Sequence, residues 1–179
     1  MESSKRNFTI TILGYVNLIR ALPGFLAILF IAKDQLLVAC LMMASASLGD
    51  LIAGSIEQRA GWKKSESDVQ IEGFVDFLCF VWAPAQLTLL LSGHWSVYAS
   101  LGIFVLSGLY RLARFNVTGC QQTGYVGLPV TYNGIIFPTL ALISFKLEKT
   151  TQSIILVVLI VILSLLMASK RFITPKWTL

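Results

Sequence analysis

The chain has 179 residues, of which 56% are hydrophobic and 13% charged, and its formal net charge is +5. Its mean hydropathy is +0.77. Soluble domains carry about a quarter charged residues, so this composition excludes a soluble enzyme, a disordered linker and a nucleic-acid-binding domain, and the length suits one membrane domain over Met1–Leu179.

The first ten residues, with Lys5 and Arg6, read as a short interfacial segment. Six apolar runs follow: Leu13–Ile31, Leu36–Ile56, Ile71–Leu91, Val97–Phe115, Leu128–Phe145 and Ser153–Met167. A helix needs about 20 residues to cross a bilayer. Most runs approach that length, and the flanks of the last two can extend them. The expected fold is therefore all-α, with six transmembrane helices and no extended β pattern. Arg20 and Pro23 interrupt the first run and no clear cleavage site follows, so it reads as a retained helix.

The loops fix an orientation. Lys5 and Arg6, then Arg59, Lys63 and Lys64, then Arg111 and Arg114, then Lys170, Arg171 and Lys176 all fall on one side of six helices. The other side carries Lys33, His94, Lys146 and Lys149, with Asp34 and Glu148 among them. Cytoplasmic loops are the ones enriched in Lys and Arg, which predicts both termini in the cytoplasm. Cys40, Cys79 and Cys120 have neither metal nor disulfide spacing, and the first two read as buried thiols. His94, between two apolar runs, reads as interfacial.

Four acids bracket the loop after the second run. Asp50 and Glu57 lie seven residues apart on roughly one helical face, and Glu72 and Asp76 form an i,i+4 pair. A carboxylate in a spanning segment needs a cavity, a cation or a partner. Convergence into one site would give oxygens suited to Mg2+, Mn2+ or Ca2+. The alternative is an interfacial set paired with Arg59, Lys63 or Lys64. Arg111 and Arg114, in GLYRLARFN, are i,i+3 neighbours whose planar donors suit phosphate; equally, they suit a cytoplasmic anchor at a helix end. Asn116 is a candidate cap or ligand contact. Gly124, Gly127 and Pro129 mark a break that either admits a headgroup or sets a turn.

These stretches resemble the CDP-alcohol phosphotransferase family, in particular its phosphatidylserine synthase branch. The family signature is Asp, two residues, Asp-Gly, two residues, Ala-Arg, then a Gly and two Asp at four-residue spacing. Here it reads DLIAGSIEQR followed by DVQIEGFVD. Asp50, Gly54 and Asp76 match, and Glu72 keeps a carboxylate. Ala53 replaces the second acid, Glu57 the alanine, Gln58 the arginine and Asp68 the later glycine. IEGFVDFLCFVWAPA resembles the branch pattern LDSLADxxSFGxAPA, RLARFN resembles its own signature, and GLPVTYNG and MASKRFITPK resemble later segments.

The resemblance implies transfer of a phosphatidyl group from CDP-diacylglycerol to a small alcohol, serine in that branch, with release of CMP. It implies Mg2+ or Mn2+ held by Asp50, Glu72 and Asp76, with Glu57 as a substitute ligand for the lost second acid. Asp76 would also be the general base. Gly54 would let the nucleotide approach closely, and Arg59, Arg111 and Arg114 would contact phosphate or the acceptor. It further implies a homodimer; a monomer and a hetero-complex stay open as the alternatives. The substitutions at Ala53 and Gln58 keep a second expectation open: a catalytically inactive relative serving as a lipid-binding, regulatory or assembly subunit. An unrelated six-helix transporter is the third.

Overall fold

The computed structural model describes residues 11–62, 64–119 and 124–175. The proposed interfacial segment Met1–Ile10 with Lys5 and Arg6, and also Lys63, Cys120 and Lys176, lie outside the described residues, as does the side chain of Gln58.

Among the described residues the fold has six helical rods: α1 (Ile12–Ala32), α2 (Leu36–Ala60), α3 (Glu66–Leu91), α4 (Trp95–Thr118), α5 (Val130–Ser144) and α6 (Lys149–Ala168). Five of them, all but α5, are long and apolar enough to cross a membrane. The chain is an all-α integral membrane protein on that basis. The expectation of six spanning helices meets its exception in α5. Pro129 delays its start, and its first turn, Val130–Tyr132, is 3-10. What remains is shorter than the span of about 20 residues a bilayer core requires. Conversely, α6 starts at Lys149 rather than Ser153 and reaches full length.

One small departure from pure helix joins the ends. β1 (Tyr125–Val126) pairs antiparallel with β2 (Ile173–Thr174). Gly124 (φ 130°) and Gly127 (φ 81°) frame β1 in backbone regions open mainly to glycine. A Cβ on Gly127 would lie 2.7 Å from the Met167 carbonyl. The glycines thus set this turn.

Local chemistry fixes the helix ends. The Thr11 hydroxyl accepts from Leu13 N at 3.2 Å and caps α1. Gly61, at φ 62°, ends α2 in the left-handed region. Ser65 and Asp68 form a reciprocal capping box at the start of α3. His94 caps α4, its Nδ1 accepting from Ser96 N at 3.4 Å. Thr11 N and Oγ1 donate to Asp68 at 3.1 and 2.8 Å, so the start of α1 is tied to the start of α3. The start of α1, the α2–α3 loop and the β pair therefore share one end of the bundle.

α3 is the central rod. It packs against α1, α4 and α5, and more of its apolar stretch is buried than that of any other long helix. Its middle, Leu78–Trp82, is a π-helical turn in which the Ala83 N–H reaches back to the Leu78 carbonyl. The wider turn leaves room at the Phe80 carbonyl, which accepts from Asn133 Nδ2 at 3.0 Å. Three helices approach this turn through glycine. Gly24 of α1 lies on Cys79, Gly134 of α5 on Phe80, and Gly108 of α4 on Val81. Outward faces such as Leu18, Ile19, Leu22 and Phe25 of α1 remain exposed and apolar, as lipid contact requires.

A Cβ at Gly134 would run into Ser47 Oγ and lie 3.1 Å from the Phe80 ring. Overpacking of this kind costs about 1–3 kcal/mol. Gly134→Ala should lower the melting temperature in detergent by several degrees. Gly102→Ala, where no atom lies within 4 Å, should leave it unchanged or raise it, since alanine gains up to about 1 kcal/mol in a helix. Thermal unfolding followed by size-exclusion chromatography distinguishes the two.

Candidate functional site

Period-3.6 geometry brings the spaced acids together. Asp50, Gly54 and Glu57 recur along one face of α2, and Glu72 and Asp76 along one face of α3. They line a cavity of about 570 Å³ with Arg20 of α1, Lys64 of the α2–α3 loop, Arg111 and Phe115 of α4, and Thr131 and Tyr132 at the start of α5. Among the described residues, its charged lining is four carboxylates and three cations.

The carboxylates are arranged as two bridged pairs, each joining α2 to α3 through a side-chain cation. Arg20 makes a close ion pair with Asp50, and its Nη2 lies 3.9 Å from Asp76. The Arg20 guanidinium also donates to Asn17 Oδ1 one turn earlier. Asp50 accepts a 2.7 Å hydrogen bond from the Thr131 hydroxyl. Lys64 Nζ stands 2.8 Å from Glu57 and 2.6 Å from Glu72. Arg20, Asp50 and Asp76 are largely shielded, with side-chain exposures of 12%, 19% and 13%. Coulomb attraction is correspondingly stronger than on an open surface. Asp76 Oδ1 and Glu57 Oε1 are buried and have no hydrogen-bond partner among the described residues.

Arg111 is buried, donates from Nε to the Leu128 carbonyl at 3.2 Å, and lies 4.8 Å over the Phe115 ring. It lines the cavity. Arg114 does not line it. Its guanidinium donates to the carbonyls of Val126, Met167 and Ala168 at 2.8, 3.2 and 3.3 Å. It ties the carboxyl end of α6 to β1, which carries the cavity residue Tyr125. Arg59 is exposed and also lies off the cavity. Asn116 is exposed, with its amide against Gly73 rather than at a cap or in the cavity. Asp68, at the motif's glycine position, is fully buried and accepts from Ser65 and Thr11. It holds the framework together. Gly54 opens onto the cavity, and a Cβ there would meet no protein atom within 4 Å.

The expected ligands of Mg2+ or Mn2+, Asp50, Glu72, Asp76 and Glu57, thus share one cavity, but as two cation-bridged pairs. Among the described residues, no three His, Cys, Asp or Glu side chains gather closely enough to hold a metal ion. Ala53 supplies no oxygen, and an ion beside Asp50 would meet the charge of Arg20. Each of the four carboxylates thus already faces a side-chain cation.

The residue that the sequence pattern undersold is Arg20. It reads there as an interruption of an apolar run. A guanidinium at mid-helix with an amide three residues earlier is itself a signal, because such a charge needs a buried partner. Thr131 carries no comparable signal; a short hydroxyl side chain is silent until the fold brings it to Asp50.

Archaetidylserine synthase of Methanothermobacter thermautotrophicus is 26% identical over 173 residues, covering 92% of this chain and 72% of the relative. CDP-diacylglycerol–serine O-phosphatidyltransferases of Helicobacter pylori strains J99 and 26695 are each 25% identical over 170 residues, covering 87% of this chain and 70% of the relative. Distant homology links the chain to phosphatidylserine-synthase-type enzymes. No family model matches it.

The loop cation gives a pH test. Burial pushes the Lys64 pKa down, but the charges of Glu72 and Glu57 and their hydrogen bonds outweigh this and hold it above the ordinary 10.5. A raised folded pKa means that the stabilisation is complete below the unfolded value and is lost as pH rises through the folded one. Melting temperatures of wild type and Lys64→Met should therefore differ by a constant amount from pH 7 to about pH 10 and converge above it. A gap that persists unchanged into stronger alkali would mean that the bridge contributes nothing.

Proposed function

We propose that this cavity binds a CDP-linked lipid of the CDP-diacylglycerol class and transfers its phosphatidyl group to a small alcohol, most reasonably serine, releasing CMP. The observation that carries this reading is the meeting of Asp50, Gly54, Glu72, Asp76 and Arg111 in one cavity, in a chain distantly homologous over most of its length to enzymes named for that chemistry.

Each residue has a physical task in it. Gly54 leaves open space where the nucleotide lies against α2. Arg111 sits within the cavity as a cation for phosphate oxygens. Asp76 has one carboxylate oxygen without a hydrogen-bond donor among the described residues, so it is disposed to accept the proton of the incoming hydroxyl. The alcohol oxygen then bonds to the lipid-side phosphorus, the bond from that phosphorus to the bridging oxygen breaks, and CMP departs with the electron pair. The cavity end of the bundle carries Arg59, Lys64, Arg111, Arg114 and Arg171, so we place it and both termini at the cytoplasmic face. The sixth rod, α5, completes the bundle as a short membrane helix. The assembled form we propose is a homodimer, for which the resemblance is the support.

A second reading, a noncatalytic relative that retains lipid binding, is favoured by one observation: Ala53 stands where the motif has an acid. Purified protein given CDP-diacylglycerol and serine separates the two. CMP release that Asp76→Asn lowers at least a hundredfold, the scale of general-base catalysis, supports transfer. Binding without CMP release selects the noncatalytic reading, and absence of both removes the proposal.

Gly54→Ala isolates the nucleotide contact. Because no protein atom lies near the new methyl group, the melting temperature should hold or rise by the equivalent of up to about 1 kcal/mol. CDP-diacylglycerol affinity, measured by calorimetry, should fall about tenfold, since a methyl group would take space the nucleotide uses. Unchanged affinity would exclude close approach at Gly54.

A further inference from the structure

Two side-chain cations occupy the positions between the acids. Arg20 comes from α1 and Lys64 from the α2–α3 loop, yet they do the same thing: each bridges one carboxylate of α2 to one of α3. The spacing explains the pairing. Asp50 and Glu57 lie two turns apart on α2, and Glu72 and Asp76 lie one turn apart on α3. Where the helices run side by side, they offer two levels, Asp50 with Asp76 and Glu57 with Glu72. Each level needs a positive charge, because two shielded carboxylates facing one another repel. The upper level receives a guanidinium anchored by Asn17. The lower receives an ammonium whose side chain is about one-quarter exposed.

We propose that Arg20 and Lys64 are the resident cations of this site, and that they take the charge-balancing place a divalent metal would otherwise fill. Three independent features lead there. Ala53 removes a carboxylate from the acid set, lowering its attraction for a divalent ion. The remaining acids are held in pairs, not as a cluster of three or more. Both cations are covalently part of the chain, so their local concentration exceeds that of any dissolved ion. A monovalent side chain also leaves carboxylate oxygens open, as at Asp76 Oδ1 and Glu57 Oε1. The consequence is ligand binding that does not depend on Mg2+ or Mn2+. This deepens the binding reading above and rests on it only for the identity of the ligand.

The test uses detergent-purified full-length protein and Mn2+ alone, followed by the loss of its free-ion paramagnetic resonance signal. Wild type should take up no Mn2+ at millimolar concentration. Arg20→Gln and Lys64→Gln each leave a carboxylate pair without its cation, and each should gain Mn2+ binding by about tenfold or more over wild type, as expected when a like charge leaves a shielded site. Arg20→Lys, which keeps the charge, should gain none. Should Arg20→Gln fail to fold, Lys64→Gln carries the same comparison at the more exposed level. Stoichiometric Mn2+ uptake by wild type, abolished in Asp50→Asn, would overturn the proposal. So would folded Arg20→Gln and Lys64→Gln proteins that both remain unable to bind Mn2+. A parallel calorimetric titration with CDP-diacylglycerol, in EDTA and then in Mn2+, should give affinities within twofold of each other. Tighter binding only with Mn2+ would also overturn it. Absence of CDP-diacylglycerol binding in both buffers would count against the lipid reading, while the Mn2+ uptake results would still decide the role of the two cations.

Discussion

The contact between Arg20 and Asp50 spans two helices in a layer with little water to screen it. Neither group could be left alone there. Breaking such a pair by removing one partner costs about 3–5 kcal/mol, because the other charge stays buried and uncompensated. The helices that carry them are therefore fixed in rotation as well as position. α1 must turn Asn17 and Arg20 inward, and α2 must turn Asp50 toward them while presenting Leu41, Leu48 and Ile52 outward. Thr131 then has a defined acceptor, which positions the first turn of the short helix α5.

The opposite requirement governs the middle of the bundle. Below the charged layer the helices are held by close approach rather than by charge. Lipid-facing and core-facing residues are equally apolar, so hydrophobicity alone cannot say which face turns in. Small residues supply that information through shape, and dispersion between tightly fitted surfaces supplies the energy. Cys79, Phe80 and Val81 present three successive side chains to three neighbours, and each neighbour receives them at a glycine. Charge sets helix rotation at one level and fit sets it at the next, so the two constraints reinforce one another along α3.

Much of this was legible in the sequence, for physical reasons that differ by element. The long apolar runs were visible because a bilayer demands a length, but α3, α4 and α6 start two to five residues earlier than the runs do, because polar caps such as Ser65, His94 and Glu148 lie outside the apolar pattern. The four acids were visible because ionisable groups are rare in such runs. Their pairing was not, since the sequence does not show that Arg20 reaches Asp50 or that Lys64 reaches both Glu57 and Glu72. Arg111 and Arg114 look alike in RLARFN, yet a rotation of three residues sends one to the cavity and the other to the backbone carbonyls at the end of α6. The short β pair was invisible because two residues per strand give no alternation to detect.

The π-helical turn of α3 makes the length of that helix a matter of phase. An extra residue accommodated in Leu78–Trp82 sets the angular relation between Glu72 and Asp76 on one side and Leu87, Thr88 and Leu91, all buried, on the other. Each residue of an α-helix advances the face by about 100°. A single-codon deletion in the regular α-helical part of α3, beyond the reach of this wide turn, would therefore swing the far half of the helix by that angle and turn its buried face to lipid, though every remaining side chain stayed apolar. A hydropathy profile would hardly register the change. The helix thus tolerates conservative exchange far better than it tolerates a change in residue count, and lineages of this fold are free to diverge in letters along α3 while being held to its number.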